Sequence, residues 1–155
     1  MKKLSYIEEL RTKVGSKPLL SIGATIIVIN KDGEILLNLR SDTKTWGIPG
    51  GGMELGETIS ETAIRELYEE TNLISNDLEF IKIFSGNDFY FKYPNGDELY
   101  SVIALFITKN VTGNLKISDD ESLKLQYFNL KNLPVLESRA QLIMKDFIVN
   151  NYYSD

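Results

Sequence analysis

The sequence predicts an α+β fold in which helices cover the faces of a mixed sheet. Residues 19–30 and 34–40 are rich in Ile, Val and Leu and flank an Asp-Gly turn, which predicts a β-hairpin. Residues 78–85 and 100–109 predict a second antiparallel pair, with a Pro-Asn-Gly-Asp turn between them. Helical periodicity between and around these strands places helices on the sheet, because a sheet with apolar faces needs covering layers.

Segments at the two ends of the chain also show helical periodicity. Apolar residues within 3–13 recur at helical spacing and predict a short amphipathic helix. We treat residues 1–17 as an N-terminal helical extension that caps the domain or packs on a second subunit. A homodimer is therefore one of the expected alternatives. After a predicted strand at residues 123–128, a C-terminal helix is marked by Leu136, Ala140, Ile143, Met144, Phe147 and Ile148.

Length and composition indicate one ordinary globular domain over residues 1–155. The chain has 43% hydrophobic and 25% charged residues, and no apolar run approaches the roughly 18 residues that cross a membrane. Two lysines near the start are followed by glutamates within residues 1–9, so this segment lacks the apolar core of a signal peptide. We therefore expect a cytoplasmic protein.

The charge balance and two missing residue types narrow the chemistry. The net charge of -5 disfavours the broad basic surface that nucleic acids require. The sequence contains neither Cys nor His, which excludes thiolate and imidazole metal sites, cysteine nucleophiles and His-based triads. Carboxylates are therefore expected to carry most of any chemistry, and oxygen-only ligands suit Mg²⁺ or Mn²⁺.

Residues 51–73, which read GGMELGETISETAIRELYEETNL, form the most informative segment. Thr58 and Glu61 make a capping-box pattern, so a helix is predicted from Thr58 to Glu70. At roughly 100° per residue, the helix has an apolar arc and an acidic arc beside it. The apolar arc contains Ile59, Ala63, Ile64 and Leu67, and the acidic arc contains Glu66, Glu69 and Glu70.

The acidic arc is unfavourable without a cation. Glu66 and Glu70 form a like-charge i,i+4 pair, and the negative end of the helix dipole lies near Glu69 and Glu70. A divalent cation reverses both penalties, because it requires several oxygen ligands. An isolated acidic helix face is more often only solvated. Here, however, five of the eleven glycines lie between Gly47 and Gly56, where they let backbone N–H groups approach a ligand.

This spacing resembles the signature of the Nudix hydrolases. A glycine, five residues, Glu57, seven residues and then RELYEE starting at Arg65 match that signature, while Asn72 stands where the second glycine is usual. Asn is the next-best residue for the left-handed conformation expected just beyond a helix end. The resemblance implies the α/β/α sandwich of that family. For Glu57 and Arg65 we also expect a salt bridge that ties the glycine loop to the helix.

The resemblance further implies a divalent metal site and hydrolysis of a phosphoanhydride bond. In the family, water attacks phosphorus and splits a nucleoside diphosphate linked to another moiety. The metal ligands that the resemblance implies are Glu66, Glu69 and Glu70, with Glu57 as a further candidate. Glu69 or Glu66 is the first choice for the general base, and Glu121 is the alternative.

Four residues are predicted to contact or position substrate. Arg40 ends its strand and offers forked donors that suit phosphate, although a surface arginine is an equal alternative. Gly50 and Gly51 are expected to hold the backbone near the metal. Tyr90 lies near the position where dinucleoside-polyphosphate hydrolases of the family have a tyrosine, but alternating aromatic residues in a strand more often pack.

Three functional classes follow from these residues. The leading one is a Mg²⁺-dependent pyrophosphohydrolase acting on a small nucleotide derivative. The second is a nucleotide-sensing module on the same fold. It is disfavoured because nucleotide binding alone does not require every acid of the signature to be kept. The third is an RNA 5′-end pyrophosphohydrolase, which the acidic charge balance disfavours because RNA requires a local basic groove.

Overall fold

The computed structural model describes residues 3–150, so the predicted domain limits at 1 and 155 lie outside the described residues. In residues 3–150 the helices are α1 (Tyr6–Val14), α2 (Ile59–Thr71) and α3 (Ser138–Val149), with a 3₁₀ turn at Asn87–Phe89. The strands are β1 (Leu19–Val28), β2 (Ile35–Arg40), β3 (Trp46–Gly47), β4 (Gly50–Gly52), β5 (Ile74–Ser75), β6 (Glu79–Phe84), β7 (Tyr90–Lys92), β8 (Glu98–Thr108), β9 (Val111–Thr112) and β10 (Ser122–Phe128). None of the described helices is both long and apolar enough to span a membrane.

The larger sheet is mixed, as predicted. Its strand order is β4-β1-β8-β6, and β7 also pairs with β8. β1 and β8 run parallel, from Leu19 opposite Leu99 to Val28 opposite Thr108. β4, β6 and β7 are antiparallel to their neighbours, so the predicted second antiparallel pair is confirmed as β6 and β8.

The prediction that the first two strands pair as a hairpin is wrong, although the chain reverses at the predicted turn. Ile29 and Ile35 form only an isolated bridge, and β2 pairs instead with β10 and β3 in a three-stranded sheet. Both edges of β1 are already used, one by β8 and the other by β4 and the Pro49 carbonyl, which accepts a hydrogen bond from the Ile26 N–H. The turn residues set the reversal of the chain, whereas the competition for strand edges sets the pairing.

Two apolar clusters lie on opposite sides of the larger sheet and confirm the α/β/α sandwich. Leu67 of α2 packs in one cluster, and Phe147 of α3 packs in the other. Consecutive residues of β1 point to the two clusters, Ile26 to the first and Ile27 to the second. β1 is therefore buried on both faces.

The predicted apolar arc of α2 is wrong at one position. Ile64 is 43% exposed, while Thr62 and Thr71 are fully buried. The Thr62 hydroxyl donates to the Thr58 carbonyl at 3.2 Å, and the Thr71 hydroxyl donates to the Leu67 carbonyl at 2.6 Å. Because these hydroxyls are satisfied within the helix, threonine can be buried at little cost and the buried face shifts away from Ile64.

The predicted C-terminal helix is confirmed, with a later start. Glu137 is the N-cap of α3, so Leu136 lies before the helix, where it forms a bridge with Trp46. Ala140 and Ile143 are buried on the inner face of the helix. The start of α3 is thereby joined to β3.

Polar contacts attach α1 to the rest of the domain. Ser5 is the N-cap of the helix, and the Tyr6 N–H donates to the Glu54 carboxylate at 3.0 Å. Near the other end, Arg11 donates to the Glu98 carbonyl. No residue of α1 is fully buried. The helix lies within residues 1–17, while the division of the chain into a domain and an N-terminal extension, and the packing of α1 on a second subunit, stay predictions.

Candidate active site

Local sequence fixes both ends of α2. Thr58 is the N-cap, and its hydroxyl accepts a hydrogen bond from the Glu61 N–H at 3.1 Å. Asn72 ends the helix in the left-handed conformation, with φ 67° and ψ 14°, as predicted. These ends set the phase of the helix and hence the directions of its glutamates.

The glycines of β4 let the acidic side of α2 approach the edge of the sheet. A Cβ atom on Gly51 would lie 2.4 Å from the carboxyl carbon of Glu66, and one on Gly50 would lie 2.2 Å from the Ala24 carbonyl oxygen. The Gly50 N–H donates to the Glu70 carboxylate at 3.3 Å. A larger residue at either glycine would displace a carboxylate or the backbone.

Arg65 ties the glycine segment to α2, as the sequence predicts. Its Nε and Nη2 atoms donate to the two oxygens of Glu57, and Nη2 also donates to the Gly52 carbonyl at 2.8 Å. Its Nη1 atom donates to Glu66 at 2.9 Å and to Glu69 at 3.2 Å. One guanidinium thus pairs with three carboxylates that would otherwise repel one another.

Glu57 is engaged by several donors. In addition to Arg65, the Glu54 N–H donates to Glu57 at 2.8 Å and the Thr62 hydroxyl donates at 3.0 Å. The hydrogen bond from Arg65 lowers the pKa of Glu57 to about 2. The role of Glu57 as the partner of Arg65 is therefore observed, whereas its role as a metal ligand stays a prediction.

A group of three carboxylates forms a candidate site for a divalent cation. Oxygen atoms of Glu70, Asp119 and Glu121 all lie within 4.8 Å of one another, and Glu70 is only 5% exposed. Asp119 and Glu121 belong to the loop before β10, which the fold brings to α2. The sequence predicted Glu70 as a ligand and Glu121 as a base but missed Asp119. The acidic run at residues 119–121 was the available signal.

The two other predicted ligands lie beside this group in different environments. The Glu66 side chain is 14% exposed, and that of Glu69 is 53% exposed. Burial raises the pKa of Glu66 to about 7. Burial, together with the charges of Glu66 and Asp119, raises the pKa of Glu70 well above its usual range. The chain itself does not supply enough positive charge for these acids.

This donor set fits a hard divalent cation. Every donor is a carboxylate oxygen, and such ligands suit Mg²⁺ and Mn²⁺ better than softer metals. The raised pKa values of Glu66 and Glu70 mean that a cation or protons must compensate their charge. The residues present are therefore suited to hold such a metal.

The acids line a cleft of about 1310 Å³. Arg40, Gly50 and Gly51 line it as well, and Arg40 forms a bidentate pair with Asp42 at 2.9 and 2.7 Å. Arg11 of α1 also lines the cleft, so the N-terminal extension forms part of its wall. The cleft exceeds the roughly 300–1,000 Å³ of ordinary ligand pockets.

Tyr90 does not line this cleft. Its hydroxyl donates to a glutamate of β8, and its ring packs on Tyr100 with centroids 5.2 Å apart. Tyr93 and Arg139 line the cleft instead, and the guanidinium of Arg139 lies 4.1 Å from the centroid of the Phe91 ring. The packing of the Tyr90 ring agrees with the alternative interpretation that the aromatic residues of this strand pack, and its contact with substrate stays a prediction.

Comparisons with known proteins agree with this fold. The family model of the NUDIX domain matches residues 19–149. An ADP-ribose pyrophosphatase from Methanocaldococcus jannaschii is 35% identical over 124 residues, which cover 78% of this chain and 69% of the relative. The MutT NUDIX hydrolase from Burkholderia pseudomallei has a TM-score of 0.70 and 22% identity, covering 82% of this chain and 97% of that one.

A second solved structure has the same fold. The NUDIX domain of Shewanella oneidensis NrtR, in a complex with ADP ribose, has a TM-score of 0.68 at 18% identity and covers 96% of this chain and 99% of that one. The fold is that of a Nudix hydrolase, and it carries an acidic cluster suited to a divalent metal. The chain belongs to the Nudix family. The predicted class, a MutT-like Nudix pyrophosphohydrolase, is thereby confirmed.

Proposed function

We propose that this chain hydrolyses the diphosphate of a nucleoside diphosphate linked to another moiety. The observation that carries the proposal is the group formed by Glu70, Asp119 and Glu121 along a cleft large enough for a two-part substrate. ADP-ribose is the first substrate to test, because the archaeal relative is named an ADP-ribose pyrophosphatase. A small-molecule nucleotide derivative is thus the proposed partner.

The proposed ligands of the metal are Glu66, Glu69, Glu70, Asp119 and Glu121. Mg²⁺ is the proposed ion and Mn²⁺ the alternative, because both accept carboxylate oxygens. When bound, the ion neutralises charge on the diphosphate and activates water. Glu57 is proposed as an additional ligand only if Arg65 releases it.

The chain's own groups orient the substrate and move the proton. Gly50 and Gly51 hold the backbone against the acids. We assign Arg40 to the phosphate oxygens, to which it would donate the two hydrogen bonds that it makes to Asp42 in this structure. A carboxylate accepts the proton of the attacking water. The candidates for this base are Glu66, Glu69 and Glu121.

Changing Glu70 to Gln tests the function directly. We expect Glu70→Gln to reduce ADP-ribose hydrolysis by more than about 100-fold, because even residues that only orient metal ligands cost 10–100-fold when removed. Glu61→Gln, on the exposed N-terminal turn of the same helix, is the matched control and should keep the wild-type rate. Full activity of Glu70→Gln would contradict the proposal.

Separate Gln variants of Glu66, Glu69 and Glu121 identify the base. Because all three are also proposed ligands, the base is the residue whose variant stays inactive at saturating Mg²⁺, with the Mg²⁺ affinity measured by calorimetry. A variant that removes only a ligand should bind Mg²⁺ more weakly and regain turnover when the ion is saturating.

A substrate panel separates the three functional classes. It should contain ADP-ribose, dinucleoside polyphosphates, nucleoside triphosphates and triphosphorylated RNA. Tight nucleotide binding without hydrolysis would favour the sensing module, and preference for RNA would favour 5′-end hydrolysis. Light scattering of the same protein decides the homodimer prediction, while the cytoplasmic location stays a prediction.

A further inference from the structure

Asn38 is a buried polar residue at the end of an apolar run. It follows Ile35, Leu36 and Leu37 on β2 and is only 7% exposed. Its Nδ2 atom donates to the Ser122 hydroxyl at 3.0 Å, but its Oδ1 atom is buried without a hydrogen-bond partner among the described residues. An unpaired buried amide oxygen costs roughly 1–3 kcal/mol. Such a group calls for an explanation, because few polar groups in protein interiors lack a partner.

The partner of Asn38 belongs to the segment that carries two acids of the candidate site. Ser122 is 6% exposed and begins β10. Its N–H donates to Asp119 Oδ1 at 3.2 Å, and the Glu121 N–H donates to the same oxygen at 3.2 Å. The Ser41 N–H also donates to the Glu121 carbonyl at 2.9 Å. The end of β2 therefore fastens the acidic loop.

A β-bulge directs the Ser122 side chain inward. Ser122 pairs with Arg40, whereas Lys124 pairs with Leu39, so Leu123 is an extra residue in β10. Leu123 is 51% exposed, while Ser122 is buried. Without the extra residue, Ser122 would lie on the opposite face of the sheet, because side chains alternate along a strand. Bulges next to active sites commonly re-aim a side chain in this way.

We propose that Asn38 and Ser122 are positioning residues that hold Asp119 and Glu121 within reach of Glu70. The inference rests on the proposed function, because that function makes these three acids one metal site. The hydrogen bond from the Asn38 amide to the Ser122 hydroxyl fixes the start of β10 in one orientation. A pair of apolar side chains at these positions would not specify that orientation. The unpaired Oδ1 atom of Asn38 is the energetic cost of that bond.

Mg²⁺ affinity tests this proposal without turnover. Calorimetry on the full chain should show that Asn38→Leu and Ser122→Ala each weaken Mg²⁺ binding by about 10–100-fold, the usual range for residues that orient metal ligands. Ser122→Thr keeps the hydroxyl and should bind Mg²⁺ like the wild type. Ser60→Ala, which removes an exposed hydroxyl on α2, is the matched control.

A double variant separates positioning from stability. Asn38→Leu with Ser122→Ala replaces both partners by apolar side chains, so the melting temperature of the metal-free protein should stay the same or rise. Weaker Mg²⁺ binding at an unchanged or higher melting temperature supports the proposal. A lower melting temperature, or wild-type Mg²⁺ affinity, overturns it and leaves the proposed function intact. If the wild type binds neither Mg²⁺ nor Mn²⁺, both proposals fail.

Discussion

The carboxylates around Arg65 and those around Glu70 belong to one stretch of sequence but differ in their electrostatics. Arg65 lowers the pKa of Glu57 to about 2, which is the mark of a carboxylate that is stabilised as an anion. Burial instead raises the pKa of Glu66 to about 7 and that of Glu70 well above its usual range. Glu66 belongs to both groups, because Arg65 also donates to it at 2.9 Å. The charge of Glu57 is compensated within the chain, whereas Glu66 and Glu70 still require positive charge.

This contrast explains how one short helix serves both the fold and the site. Arg65 joins α2 to Gly52 and Glu57, so it fixes the glycine strand on which the site is built. Glu70 lies close to the acidic loop, with an oxygen within 4.8 Å of oxygens of Asp119 and Glu121. Removing a residue of the first group should therefore affect mainly stability, and removing one of the second should affect mainly metal binding.

The largest effect on stability is expected from Arg65→Ala. The free energy of unfolding should fall by about 2–3 kcal/mol, somewhat less than the cost of breaking a fully buried ion pair, because the Arg65 side chain is 28% exposed. Lys82→Ala is the control, because it breaks one partly exposed pair with Asp146 and a contact with the Phe84 ring, and it should cost about 1 kcal/mol. Urea unfolding measures both. Equal costs would contradict the special role of Arg65.

Glu57→Gln sharpens the same comparison. If Glu57 acts only as the partner of Arg65, this variant should be less stable by about 1–2 kcal/mol, because a charge-assisted hydrogen bond is weakened. Its Mg²⁺ affinity should equal that of the wild type. A weaker Mg²⁺ affinity at unchanged stability would instead support Glu57 as a metal ligand.

The metal-free protein should lose stability as pH rises from about 4.5 to about 7. The folded pKa of Glu66 is raised from 4.5 to about 7, so its contribution is present below pH 4.5 and is lost as pH rises through 7. The shift corresponds to at most about 3 kcal/mol. Glu57 has the opposite sign, because its contribution is present above 4.5 and is lost as pH falls through about 2.

Melting temperatures in EDTA at pH 5 and pH 7.5 measure this effect. The wild type should lose more stability between the two values than Glu66→Gln, which cannot ionise and is the control for all other groups. Mg²⁺ should restore stability at pH 7.5, because a ligand bound only by the folded state stabilises it. Identical pH dependence in the two proteins would show that Glu66 is not the group responsible.

The parts of the structure that the sequence predicted correctly depend on local spacing. Thr58 and Asn72 fix the ends of α2, and the eight-residue separation of Glu57 from Arg65 brings them together across the glycine loop. In each case the interacting groups are few residues apart, so one helix or one turn determines the contact.

The incorrect or missing predictions concern contacts between distant segments. β2 does not pair with β1 in the predicted hairpin because β8 and β4, which come later in the chain, take both edges of β1. Asp119 was missed because no periodicity places a loop relative to α2. These outcomes depend on the assembled sheet, which local patterns do not encode.

Asn72 should give the smallest effect and tests the local part of the comparison. Asn72→Ala should lower the free energy of unfolding by about 1 kcal/mol, because the left-handed conformation is unfavourable for a residue with a Cβ atom and no local polar contact. Asn72→Gly should stay within about 0.5 kcal/mol of the wild type, because glycine adopts this conformation freely but loses the side-chain bond from Asn72 to the Asn114 carbonyl. Both variants should keep the wild-type Mg²⁺ affinity, since the cap lies beyond the acids. A reduced affinity would mean that the end of α2 also positions Glu70, and the separation between fold and site would be less complete than the two carboxylate groups indicate.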